Sequence, residues 1–201
     1  MSSIGVNDRS DDLVVAHDPI IRSIARVTRT SPAPHCTDLG NAQRLVERYG
    51  HELRFAIHLQ RWLAWDGTRW QVGQHGEVER RAKAVILDLY RQLAGLPDQE
   101  RAELRQHATR SESQRALKAM VELAKTEPGI PVSQQHLDVD DWLLNLANGT
   151  LDLRTGQLRR HDPDDLLTKL APVHFDPSAT CPDLPPVCGP WIMRVRPIPA
   201  A

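Results

Sequence analysis

Apolar residues recur at helical spacing where the first ordered stretch begins. Leu39, Ala42, Leu45, Val46 and Tyr49 fall on one helix face. Thr37 or Asp38 stands where a side-chain oxygen can accept from a free first-turn N–H, and Gly50 is the expected stop. The period then shortens to two: Leu53, Phe55, Ile57 and Leu59 alternate with polar residues, as in a strand with one buried face. Trp62–Trp65 and Thr68–Val72 flank Asp66-Gly67, a dipeptide suited to a type I′ hairpin turn. These features predict a three-stranded antiparallel meander from Leu53 to Val72.

Helical spacing then returns. Val78, Ala82, Val85, Ile86, Leu89, Tyr90 and Leu93 form one stripe, closed by Gly95 and Pro97. Ala102, Leu104 and Ala108 support a shorter helix. Ser111-Glu112-Ser113-Gln114 fits a capping box, and Leu117, Met120, Val121 and Ala124 continue its stripe up to Pro128-Gly129. Such stripes are the mark of core packing. A second β unit follows: Leu143–Ala147, a turn at Asn148-Gly149, Thr150–Leu153, a turn at Arg154–Gly156, then Gln157–His161. Two turn signals so close predict a second three-stranded meander. Asp164 or Asp165 is placed to cap a short helical turn through Leu167, and Val173–Phe175 reads as extended. The predicted fold class is α+β, helices with two small antiparallel β-meanders.

The ends differ from this ordered middle. Residues 1–36 read as an irregular leader, and only Ile20 to Val27 shows apolar periodicity. Residues 183–201 form a proline-rich tail with no periodicity, expected to be disordered. The domain proper is assigned to residues 37–182. The 201 residues are 40% hydrophobic and 25% charged, which suits a soluble chain with a real core. No apolar run is long enough to span a membrane, and the amino terminus lacks the pattern of a secretory signal. A cytoplasmic protein is expected, with no membrane partner.

Charge is nearly balanced, 25 Lys+Arg against 26 Asp+Glu, where strong nucleic-acid binders carry a basic excess. The balance is uneven: residues 41–110 hold twelve basic and nine acidic residues, residues 111–180 seven and eleven. Cys36, Cys181 and Cys188 form neither a disulfide framework nor a zinc-type couplet. No P-loop, dinucleotide fingerprint, nucleophile elbow or HExxH helix occurs, so neither ATP hydrolysis nor a cofactor or metal is expected. Asp138, Asp140 and Asp141, and Asp162, Asp164 and Asp165, are clustered as in two-metal sites. Both clusters lie beside turn and cap signals, where Asp commonly binds local N–H groups. The nine histidines are scattered, and no catalytic residue is nominated.

The remaining candidate is Trp62, Trp65 and Trp70 beside Arg61 and Arg69. Aromatic faces with guanidinium groups stack and neutralise single strands. The competing reading is packing within a small β unit, and in a strand Trp62 and Trp65 face opposite sides, so at least one belongs to a core.

Several phrases together resemble one family. TDLGNAQRLVERYG (37–50), WLAWDGTRW (62–70), SESQRALKAMVELAKTEPGI (111–130) and DVDDWLLNLANGTLDLRTGQLRRHDPDDLLTKLAPVHFDPSATCP (138–182) are similar to the domain that precedes the superfamily 3 helicase in phage and plasmid primase–helicases, shared with poxvirus primase–helicases. The resemblance implies a non-catalytic module in replication of a mobile element, with the ATPase in a downstream domain. The break in composition after Pro182 suggests a truncated, prophage-like form whose tail is read in a shifted frame. The expected contacts are Arg61, Arg69, Arg159 and Arg160 on phosphate and Trp70 on a base, with single-stranded or forked DNA. The alternatives are an oligomerisation collar that binds replication proteins or itself without touching DNA, and an inert remnant.

Overall fold

The computed structural model describes residues 34–73, 76–179 and 195–197, all within the unit Ser31–Ala201. The leader up to residue 33 and the tail apart from Val195–Pro197 lie outside the described residues. So do Cys181 and Cys188, while Cys36 is exposed and free.

Helix α1 spans Asp38–Tyr49, and Thr37 caps it by accepting from the Gly40 N–H at 3.1 Å. Gly50 ends it, but in right-handed conformation (φ −62°). Space is what requires glycine there, since a Cβ would stand 2.5 Å from the Val46 carbonyl oxygen. Strands β1 (Leu53–Ala56), β2 (Arg61–Trp65) and β3 (Trp70–Val72) form the expected meander, but β1 stops short of Ile57 and Leu59, which lie in the turn and are exposed rather than on the buried face. The meander's second turn is not the two-residue type. Asp66–Arg69 make a four-residue loop in which the Asp66 carboxylate accepts from the N–H groups of Thr68 and Arg69, and Gly67 alone takes the left-handed region, at φ +98°.

Helices α2 (Glu77–Gln92), α3 (Asp98–Ser111) and α4 (Gln114–Ala124) follow. The capping residue of α4 is Ser113, bonded to the Ala116 N–H, and not Ser111. Ser111 still belongs to α3 and is buried, its hydroxyl taken by Asn41. After α4 the chain returns to the first sheet, where β4 (Pro131–Val132) pairs parallel to β1. The first sheet is therefore mixed, in the order β3-β2-β1-β4. Pro131, which has no N–H to give, sits on an edge strand where that loss is tolerated.

The second meander is as expected: β5 (Leu143–Leu146), β6 (Gly149–Asp152) and β7 (Gln157–Arg159), antiparallel throughout. The turn beyond it, Pro163–Asp165, is a 3₁₀ turn capped by Asp162 and closed by left-handed Leu166 (φ +52°). Strand β8 (Val173–Phe175) pairs with β9 (Val195–Pro197), a short strand inside the proline-rich tail.

Two cores result. Alternation along β1 and β2 sends Leu53, Phe55 and Ala64 to the helical side. There they meet Leu45 of α1, five apolar residues of α2, Ala108 of α3 and Met120, Val121 and Ala124 of α4. The opposite face carries Ala56, Leu63, Trp70 and Val132, covered by Leu137 and Leu166 from the second half of the chain. The helices, the four- and three-stranded sheets and the β8–β9 pair make the fold α+β.

Candidate nucleic-acid interface

The β2–β3 hairpin places its arginines at opposite ends. Arg61 opens β2 and is exposed. Arg69 sits in the turn at the far end, its Nε 3.6 Å from the Asp66 carboxylate. Burial pushes the Asp66 carboxyl upward, but hydrogen bonds from Thr68 and Arg69 and the Arg69 charge outweigh it, and the group ends below its ordinary value.

Trp70, the expected stacking residue, is a core residue at 1% exposure. Its indole N–H donates to the Pro163 carbonyl at 2.8 Å, its backbone N–H to Leu167 O at 2.8 Å. One ring contact is Trp65 at 5.7 Å, another the Arg54 guanidinium, 4.8 Å from the ring centroid. Burial lowers the Arg54 pKa, and Asp164 opposes that shift. With the ring so enclosed, no base can reach it. Trp62 and Trp65 do face opposite sides. Trp62 meets Phe55 edge-on at 5.5 Å on the helical side, while Trp65 packs against the second core.

Arg159 is held by Asp165, Nη2 to Oδ1 at 2.6 Å, and that hydrogen bond raises its pKa. Arg160 is exposed and makes no ion pair with another described residue. The Pro163–Asp165 turn thus gathers two of the five candidates, Trp70 through Pro163 and Arg159 through Asp165. The Trp70 contact fastens the turn to the first sheet, and the Arg159 pair ties it to β7 of the second meander. Arg61, Arg69 and Arg160 are not brought to that turn by any described contact.

A second fastening is Asn145, which the sequence reading passed over. Its Nδ2 donates to the carbonyls of Thr68 and Lys169, both at 2.9 Å. Its Oδ1 accepts from His161 Nδ1 at 2.9 Å and Thr150 Oγ1 at 3.4 Å. All four hydrogen-bonding positions of the amide are filled, as burial demands. The only sequence signal was a polar residue amid leucines in LLNLA. His107 is also structural: buried, with Nε2 2.9 Å from Asn41 Oδ1, whose Nδ2 reaches Ser111. Burial first, then the nearby Arg44 and Arg110 charges, lower its pKa.

The acidic clusters are engaged in hydrogen bonds, local ones at Asp140 and Asp162 and longer-range ones from Asp138 to Thr168 and from Asp140 to Arg154. Asp138 accepts from Thr168 N and Oγ1, Asp140 from Trp142 N and Arg154, and Asp162 from Asp164 N. Among the described residues, no group of three or more His, Cys, Asp or Glu is placed to hold a metal ion. No described helix is long and apolar enough to cross a membrane.

A helical layer on a mixed sheet is latched to a second meander through Asn145 in LLNLANGTLDL and the turn at HDPDD. The chain matches the family model described as "D5 N terminal like" over residues 42–189 and belongs to that family, the N-terminal domain of phage, plasmid and poxvirus primase–helicases. In such proteins helicase activity resides in a separate downstream domain. No curated protein matches the chain.

Proposed function

We propose that this chain is a non-catalytic module of a DNA-replication primase–helicase of the phage or plasmid type, acting in the cytoplasm. The family match over residues 42–189 carries this reading. In it, exposed Arg61 and Arg160 touch phosphate weakly, and Arg159 joins them only by giving up Asp165. Arg69, tied to Asp66, contributes at the margin, and Trp70 serves the fold.

The test is anisotropy of labelled single-stranded and forked DNA titrated with the full chain at two salt concentrations. The expected result is micromolar binding that weakens steeply with salt and weakens further in Arg160→Glu. A second reading, an assembly module that joins replication proteins without touching DNA, is favoured by the pairing of Arg69 and Arg159 with acids. No binding at low salt would select it.

A further inference from the structure

The loop between β4 and β5 holds two apolar side chains out in water. Val139 is 64% exposed and Trp142 51%. A mobile loop could do this by accident, but this loop is tied at both ends. Asp138 sits in the left-handed region (φ +54°), uncommon for a residue with a side chain. Its N–H donates to Leu166 O at 3.2 Å and its carboxylate accepts from Thr168 N at 2.7 Å. Asp140 Oδ1 accepts from the Trp142 N–H at 3.0 Å, and the Trp142 carbonyl accepts from Leu153 N–H at 2.8 Å.

One cation already uses the ring. The Arg154 guanidinium lies 5.5 Å from the Trp142 centroid while two of its nitrogens hold Asp140 at 3.2 and 3.3 Å. The surroundings are acidic: Asp138, Asp140, Asp141 and Asp152 stand against Arg154 and Lys169. Lys169 is 3.8 Å from Asp138, and Asp152 Oδ1 is occupied by the N–H of Arg154 at 2.8 Å. Asp141 is exposed and forms no ion pair with another described residue.

We propose that Val139, Asp141 and Trp142 form a docking surface for a cationic segment of a partner protein. A phosphate backbone is repelled by the excess of carboxylates. A purely apolar partner leaves Asp141 without use. An arginine or lysine satisfies both features, its aliphatic stem lying on Trp142 and Val139 and its charge meeting Asp141 and the ring face. This surface does not depend on the DNA contacts proposed above.

The experiment follows the indole N–H resonances of the full ¹⁵N-labelled chain, that of Trp142 identified by its loss in Trp142→Phe. The probe is a synthetic hexapeptide alternating leucine and arginine. The Trp142 resonance is expected to shift saturably, with affinity falling about three- to fivefold in Asp141→Lys, the scale of one exposed ion pair. The same peptide with glutamate for arginine is expected to leave it in place. An unmoved Trp142 resonance, or an equal response in Asp141→Lys, overturns the proposal. A shift with octathymidylate in place of the peptide also overturns it and makes the surface a nucleic-acid one. The DNA titration under "Proposed function" reads Arg160, so the two can fail separately.

Discussion

The two faces of the first sheet are covered by different physics. On the helical side Leu45, Leu89 and Met120 are fully buried among hydrocarbon, and the attraction has no direction. On the other side four buried residues make a small core, and polar bonds with fixed geometry finish the closure: Trp70 to Pro163 and Asn145 to Thr68. The helical face can tolerate repacking so long as volume is kept. The far face cannot, because its donors are aimed at particular carbonyls, Trp70 at Pro163 and Asn145 at Thr68 and Lys169. The contrast shows how two directional bonds fix where the second meander meets the sheet.

Breaking the apolar side should cost most. Leu89→Ala is expected to remove about 3–4 kcal/mol through lost burial and a residual cavity, read as a lower urea midpoint at unchanged slope. Breaking the polar side should cost somewhat less but act more locally. Asn145→Ala leaves the Thr68 and Lys169 carbonyls without donors and is expected to cost about 2–3 kcal/mol. Hydrogen exchange should quicken in the second meander before it does in the helices.

A third prediction separates a buried polar group within the helical layer from both. The folded-state pKa of His107 is depressed, chiefly by burial, so the unfolded chain takes up the proton first. Stability from this group is present above the unfolded value of about 6.5 and is lost as pH falls below it toward the folded pKa. The urea midpoint of the native chain is expected to decline across that window, and that of His107→Gln to lose this part of the decline. A flat native profile would show that the buried imidazole is not what is titrating. Smallest of all is the surface pair. Arg159→Ala should change stability by under about 1 kcal/mol, which calorimetry would register as a slight shift in melting temperature.

Local chemistry was legible in the sequence wherever it was decided locally. The stripe of α2, the Thr37 cap and both meanders follow from spacing within a few residues. Readings failed where a distant partner decides. The capping box puts the cap at Ser111, but that residue stays in the preceding helix and holds Asn41, 70 residues away. β4 is two residues long, too short to show a period, and its strand character exists only beside β1. Trp70 beside Arg69 reads the same whether it stacks on a base or fills a core. What settles it is Pro163, 93 residues along. Trp142 carries no local signal of its own, because its exposure depends on bonds that its loop makes to residues 153–168.

That distance between Trp70 and Pro163 sets a timetable for the protein as it is made. The helices and β4 complete their side of the sheet once residue 132 has been added, while the opposite face waits for a turn that comes about thirty residues later. At about 5–20 residues per second of synthesis, Leu63 and Trp70 stand open to water for about 5–20 seconds after Trp70 is joined. The nascent chain therefore carries a sticky half-sheet through the most crowded moment of its life, and the turn at Pro163–Asp165 is what retires it.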